Sequence, residues 1–170
     1  MNTGEQVYLP AFKSGQTHLK IAGTEFHHLI RVRRFAVGDE IWVVNGTGVA
    51  ARARLDVIEE ASLDIKVLEE HPGRGELGEH LILAVANLKG DHLKLIVEKA
   101  TELGVTEIIP LLTDHTIKKG LNRNRLERIA ISAMKQSRRS NCPKIHDLTS
   151  FSVCLKSFPD AIHLFCYGSD

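Results

Sequence analysis

The apolar residues of this 170-residue chain change their period once, at His71-Pro72-Gly73-Arg74-Gly75-Glu76-Leu77-Gly78. Three glycines and a proline within eight residues end regular structure there. Upstream, apolar residues recur at every second position, as in half-buried strands. Downstream, short apolar runs alternate with stretches of helical period. The pattern predicts an all-β unit over residues 1–72, a linker over 73–80 and an α/β unit over 81–170.

In the first unit, His18 to Ile21 alternates polar and apolar residues. Thr24 is placed to cap a short helix with Phe26, Leu29 and Ile30 on one side and Arg31, Arg33 and Arg34 towards its end. Glu40 to Val44 is a β-branched strand containing Trp42. Asn45-Gly46-Thr47-Gly48 is a hairpin signal, because Asn and Gly tolerate positive φ. The returning strand puts Ala51, Ala53, Leu55 and Val57 on one face, and Ser62 to Leu68 continues the meander with Leu63, Ile65 and Val67 facing in. The expectation is a small antiparallel sheet or barrel.

The second unit opens with Leu81 to Ala86, apolar enough for a strand covered on both faces. Asp91 is positioned to cap a helix burying Leu93, Ile96, Val97, Ala100 and Leu103, with Gly104 as its terminator. A strand from Val105, ending at Pro110, a helix over about Arg123 to Arg139, a short helix around Phe151 to Ser157 and a strand over Ala161 to Cys166 follow. The second helix buries Leu126, Ile129, Ala130, Ala133 and Met134. This alternation implies a parallel sheet wrapped by helices, whose ligands bind beyond the carboxyl ends of the strands. The sequence ends at such an edge, so an incomplete pocket is expected.

Composition excludes several classes. Hydrophobic residues make up 43% and charged residues 25%, the balance of a globular domain. No apolar run approaches bilayer length and no basic segment leads into an apolar core near Met1, so a cytoplasmic location is expected. Cys142, Cys154 and Cys166 form neither a disulfide framework nor a zinc pattern. Adjacent His27 and His28 point about 100° apart on a helix, which disfavours a shared metal. Dinucleotide, P-loop and serine-hydrolase motifs are absent.

The net charge of +1 conceals an asymmetry: residues 55–80 carry −6 and residues 111–144 carry +7. Such a basic cluster is a footprint for phosphate-rich partners, although a solvated helix face has the same composition. Candidate RNA contacts are Arg31, Arg33, Arg34, Lys89, Arg125, Arg138 and Arg139, with Lys118, Lys119 and Arg123 extending the track. Lys89 follows a strand and precedes a helix N-terminus, where anions are favoured; a solvated loop lysine is the plainer reading. Arg138 and Arg139 offer planar forks for phosphates or unstacked bases, or simply complement a helix dipole. Lys94, Glu98, Lys99 and Glu102 have the spacing of helix-surface ion pairs.

The order of motifs resembles a known family. His27-His28-Leu29-x-x-Val32-x-Arg34, Gly38-Asp39, Asn45-Gly46, Lys89-Gly90-Asp91, Glu98-Lys99-Ala100-Thr101-Glu102-Leu103-Gly104-Val105, Ile109-Pro110, Gln136-Ser137-x-Arg139 and Pro143-x-Ile145 are similar to the small-subunit ribosomal RNA methyltransferase E family, of the SPOUT superfamily. Departures are Arg33 where leucine is usual, Asn45 where aspartate is common and Lys135 where glutamate is common. The resemblance implies a PUA-like β-barrel that helps bind RNA, followed by a SPOUT-type α/β domain with S-adenosylmethionine as cofactor. It also implies methyl transfer to N3 of a uridine in 16S rRNA, with the small ribosomal subunit as partner and a homodimer as the complete assembly. No residue here identifies the base that takes the N3 proton. The family's Gly-Pro-Glu-Gly-Gly and Leu-Gly…Ile-Leu-Arg-Thr-Glu-Thr-Ala segments, which build the knot and cofactor pocket, are not in the sequence. The expectation is therefore a SPOUT domain without its knot-forming part, with only Tyr167 and Gly168 at the pocket edge. RNA binding without catalysis is the alternative, and a basic helix contacting a protein partner a further one.

Overall fold

A computed structural model of the chain describes residues 4–89, 91–114, 116 and 120–166. The first sheet holds β1 (Gln6–Tyr8), β2 (His18–Ala22), β3 (Glu40–Val44), β4 (Ala50–Ile58) and β5 (Ser62–Glu70), in the order β1-β3-β4-β5-β2. All neighbours are antiparallel except β1 and β3, which run parallel. Inward residues Ile41, Val43, Ala51, Ala53, Leu55, Leu63 and Ile65 follow the expected alternation and meet Phe12, Phe26, Leu29 and Phe35 in one core. Register shifts between Arg52 and Ala53 and between Leu55 and Val57 bend the sheet into an open half-barrel. The second shift also turns Val57 out, against expectation: it is 49% exposed.

The helix α1 (Gly23–His27) starts one residue before Thr24, from Gly23 at φ 63°, so Thr24 does not cap it. It runs on as a π-helical turn over His28–Val32, and the chain then reverses at Arg34, φ 60°. Turn residue Asn45 is buried: its Oδ1 accepts from the backbone N–H of Thr47 (2.8 Å) and Val49 (3.1 Å), and its amide donates to the Phe12 carbonyl.

The second sheet is parallel: β6 (Ile82–Ala86), β7 (Glu107–Leu112) and β8 (Lys144–Ile145) lie in that order, and β9 (Thr149–Ser150) pairs further along β7. The two-residue strands β8 and β9 have no period to detect. Strand β7 runs past Pro110 to Leu112, and the proline falls in the gap between the stretches paired with β8 and β9. A residue without an N–H is tolerated there because no neighbour asks for one.

Helices α2 (His92–Glu102) and α3 (Arg123–Gln136) pack together over one face, burying Leu93, Val97, Ala100, Ile108, Leu126, Ala130 and Ile145 in a second core. Helix α2 departs from the expected stripe at its end. Leu103 leaves the helical track and is 72% exposed, while Thr101 is buried, its hydroxyl donating to the Val97 carbonyl at 2.6 Å. Asp91 occupies the cap position but its carboxylate pairs with Lys94 instead of capping an N–H. Helix α3 is capped by Asn122, whose Oδ1 accepts from the Arg125 N–H at 3.1 Å.

On the opposite face α4 (Phe151–Ser157) covers only Ile109, Leu111 and their surroundings. Strand β6 is covered on one face through Leu83 and Val85 but on the other only at its start, where Ile82 packs against this cluster, and Ala84 is exposed. The strand expected over Ala161 to Cys166 is not formed: residues 162–166 have no regular structure, and Ile162, Leu164 and Phe165 are exposed.

The segment read as a linker is a clasp. The Gly73 N–H donates to the Gly48 carbonyl at 2.8 Å. The Arg74 guanidinium lies 3.8 Å from the Trp42 ring centroid and donates to Gln6 Oε1 (2.7 Å) and the Arg138 carbonyl (2.9 Å). Glu76 receives Arg139 at 2.6 Å together with the backbone N–H groups of Ser140 and Asn141. The Asn45-Gly46 turn docks on the same stretch, since the Cys142 N–H donates to the Gly46 carbonyl. A small apolar cluster of Val44, Ala50 and Met134 completes the seam.

Candidate RNA-binding surface

Two groups of residues singled out in the sequence emerge, one at each end of α3. The first lies at the carboxyl edge of the parallel sheet. Asn87 follows β6 and is 2% exposed; its backbone N–H donates to the Leu111 carbonyl (2.9 Å) and its side-chain amide to the Gly120 carbonyl (3.3 Å). This ties the ends of β6 and β7 to the approach to α3. Lys89 is exposed just beyond, its carbonyl within 3.2 Å of His92 Nδ1. Arg125, in the first turn of α3, is also exposed and close enough to Asp91 to affect it. The Asp91 carboxyl is held below its usual range, first by the hydrogen bond from Lys94 and to a lesser degree by Arg125. The starts of α2 and α3 therefore meet at the edge where a parallel sheet binds ligands. Tyr167, Gly168, Lys118 and Lys119 lie outside the described residues.

The second group lies about 20 Å away, one α3 length, at the seam. Arg31 and Arg34 are exposed. Arg33 pairs with Glu5 at 2.8 Å, and the same carboxylate meets His28 Nε2 at 3.1 Å. His28 thus faces Glu5 while His27 is exposed. Lys135 reaches across to Glu25 at 2.7 Å and fixes α3 against α1. Arg138 is exposed, with φ 61°, and its Nη2 lies beside Gly4.

Arg139 corrects its sequence reading. It is 1% exposed, and its guanidinium donates to Glu76, to the Thr101 carbonyl (2.7 Å) and to the Val105 carbonyl (2.9 Å). The turn at Arg138 swings the next side chain inward, where two carbonyls and a carboxylate satisfy the fork. That leaves Arg139 no donor surface for a phosphate at the protein exterior.

Sequence reasoning missed Arg74 and Trp42. Arg74 sat in a segment read as loose because of its glycines, and its hydrogen-bond partners are more than 60 residues away along the chain. The acidic cluster beside it was a usable signal, because Glu76 supplies the countercharge that Arg139 needs. Among the described residues, no group of three His, Cys, Asp or Glu side chains is placed to hold a metal ion, and no helix is long and apolar enough to cross a membrane.

Comparison with known proteins supplies what the geometry leaves open. A family profile described as an RNA methyltransferase domain matches residues 76–170, and one described as an RNA methyltransferase PUA domain matches residues 21–68. Ribosomal RNA small subunit methyltransferase E of Bacillus subtilis is 32% identical over 148 residues, covering 82% of this chain and 57% of that protein. The Rickettsia conorii protein of that name is 30% identical over 152 residues, covering 89% of this chain and 62% of its own length. The chain thus spans about three fifths of these relatives.

The crystal structure of a methyltransferase E from Neisseria gonorrhoeae bound to S-adenosyl methionine superposes with a TM-score of 0.77 at 26% identity, over 92% of this chain and 66% of that one. A probable rRNA methyltransferase from Porphyromonas gingivalis gives 0.75 at 28% identity, over 86% and 60%. The half-barrel and the parallel sheet correspond to the PUA and SPOUT domains of these proteins. The chain belongs to the RNA methyltransferase family, with the PUA domain preceding the methyltransferase domain.

Proposed function

We propose that this chain serves in the S-adenosylmethionine-dependent methylation of ribosomal RNA of the small subunit, at N3 of a uridine. The observation that carries the proposal is the joining, through one seam, of a PUA-type half-barrel and a methyltransferase-type parallel sheet that both present basic side chains. Arg31, Arg33, Arg34 and Arg138 would hold the RNA at the seam, and Lys89 and Arg125 would hold it at the carboxyl edge. A homodimer, with 16S rRNA or the small subunit as partner in the cytoplasm, completes the reading.

The described residues fit one wall of a cofactor site. Asn87 is a buried amide at the carboxyl edge, fixed by the Gly120 carbonyl, where a ligand's polar groups are usually met. Tyr167 and Gly168, outside the described residues, are further cofactor contacts in the proposal. S-adenosylmethionine supplies a methyl group on a sulfonium. The protein's part is to orient the uridine ring and help N3 lose its proton, because N3 attacks only when its lone pair is free.

The test is incubation of the chain with small subunits lacking the modification and methyl-labelled cofactor. Label should enter 16S rRNA at one uridine and stop reverse transcription there, since N3-methylation blocks base pairing. Label at a carbon or a ribose would overturn the N3 assignment. Binding of RNA with a steep salt dependence and no label would instead select the second reading, a non-catalytic RNA-binding protein. That reading is favoured by the exposed seam arginines, which owe nothing to the cofactor edge.

A further inference from the structure

At the seam, two guanidinium groups stand close together without a carboxylate. Glu76 is taken by Arg139 and two backbone N–H groups, Glu5 by Arg33 and His28, and Glu25 by Lys135. Among the described residues, no acidic side chain lies within ion-pair distance of Arg74 or Arg138. Both are anchored. Arg74 is held by Trp42 beneath it, by Gln6 and by the Arg138 carbonyl. Arg138 sits on a left-handed turn with its guanidinium beside Gly4. Gly4 and Gln6 are two residues apart, so both forks meet the same short stretch of chain.

Holding like charges together is unfavourable unless an anion joins them. The cost is visible at Arg74, whose guanidinium is less basic than usual, first through burial and then through Arg138. Arg138 bears a second cost, because an L-residue in the left-handed region is strained where glycine is not. Two neighbouring planar forks without a carboxylate suit a phosphate, which accepts several N–H donors at once. Trp42 also lines a cleft of about 270 Å³ with Glu40, Ile41 and Arg52, and the His71 ring meets it in a T-shaped contact with centroids 5.0 Å apart.

We propose that Arg74 and Arg138 form a seat for a backbone phosphate of single-stranded RNA, with Trp42 supporting Arg74. The seat rests on the reading of the chain as an RNA methyltransferase family member that engages RNA, and it adds Arg74 to the contact set. It places the strand across the seam, so that one phosphate touches residues anchored by both sheets.

Trp42 is the single tryptophan of the chain, so its fluorescence reports on the seat directly. The experiment titrates a short oligouridylate into the folded chain, following Trp42 emission and binding over a salt series. Binding should change the emission. Arg138→Gly keeps the left-handed turn and removes the side chain with its guanidinium, so its urea midpoint should be equal to or above that of the parent. It should bind roughly five- to tenfold more weakly, with the slope of log K against log salt smaller by about one. Arg74→Lys, checked for folding by circular dichroism, should lose the emission change. Unaltered affinity and slope in Arg138→Gly would overturn the seat and leave the RNA reading standing. Absence of RNA binding by the parent chain would overturn both. Inorganic phosphate at matched ionic strength changing the emission as strongly as oligouridylate would assign the pair to free phosphate and overturn the RNA seat.

Discussion

Arg138 and Arg139 follow each other at the end of α3 and face opposite ways, because Arg138 takes φ 61° and breaks the helical progression between them. Arg139 then serves as an internal post: one fork joins Glu76 to the carbonyls of Thr101 and Val105, linking the clasp to the end of α2. Removing it leaves a sequestered carboxylate and two carbonyls without that donor. Arg139→Ala should therefore lower unfolding free energy by about 3–5 kcal/mol, read from urea denaturation. Arg139→Lys should recover only part of it, since one ammonium cannot span three acceptors. A loss below about 1 kcal/mol would show the pair to be effectively solvated. Which of two neighbouring arginines turns inward was not legible in the sequence. The helical period assigns faces only while the helix lasts, and α3 ends at Gln136.

At the scale of elements, the parts that declared themselves were those whose burial is periodic. Helices α2 and α3 show repeats at three and four residues, and β4 and β5 alternate. The parts that did not are held by distant partners, as β8 and β9 are by β7, or by ion pairs such as those of Glu107. Glu107 opens β7 and its carboxylate meets His80, from the segment leading into β6, and His146, which follows β8. Burial alone would raise the Glu107 pKa, but hydrogen bonds and charge from His146 and His80 outweigh it and leave it lowered. A carboxyl with a lowered folded-state pKa adds stability that is present above its unfolded value and lost as pH falls through its folded value. The sheet should therefore weaken below about pH 4.3, the ordinary glutamate value. Glu107→Gln should be less stable than the parent near neutrality and should flatten the acid limb of a Tm-against-pH curve. Parallel curves for the two proteins would remove Glu107 from the account.

On the scale of the whole molecule, the Pro/Gly segment acts as a joint made rigid by close approach. A Cβ at Gly75 would stand 2.6 Å from the Arg138 carbonyl oxygen, and its φ of 76° already disfavours any other residue. Gly73 has a similar φ of 68° but open space around it. The pair separates backbone strain from steric exclusion. Gly73→Ala should cost roughly 1 kcal/mol, the conformational penalty alone. Gly75→Ala should cost about 1–3 kcal/mol beyond that, because the backbone at Arg138 must move and the overlap is with backbone rather than with a flexible side-chain end. The consequence is more than lost stability. If the seam couples the two sheets, pushing Arg138 away should also separate their unfolding. Trp42 emission follows the half-barrel and its Arg74 cover, while far-ultraviolet circular dichroism is dominated by α2 and α3 of the other unit. In the parent chain the two signals should report one transition on heating, and in Gly75→Ala they should diverge. Coincident transitions in Gly75→Ala with the midpoint of Gly73→Ala would mean that the sheets are coupled elsewhere. The Glu25–Lys135 pair, a charged bridge between the units, would then be the place to cut.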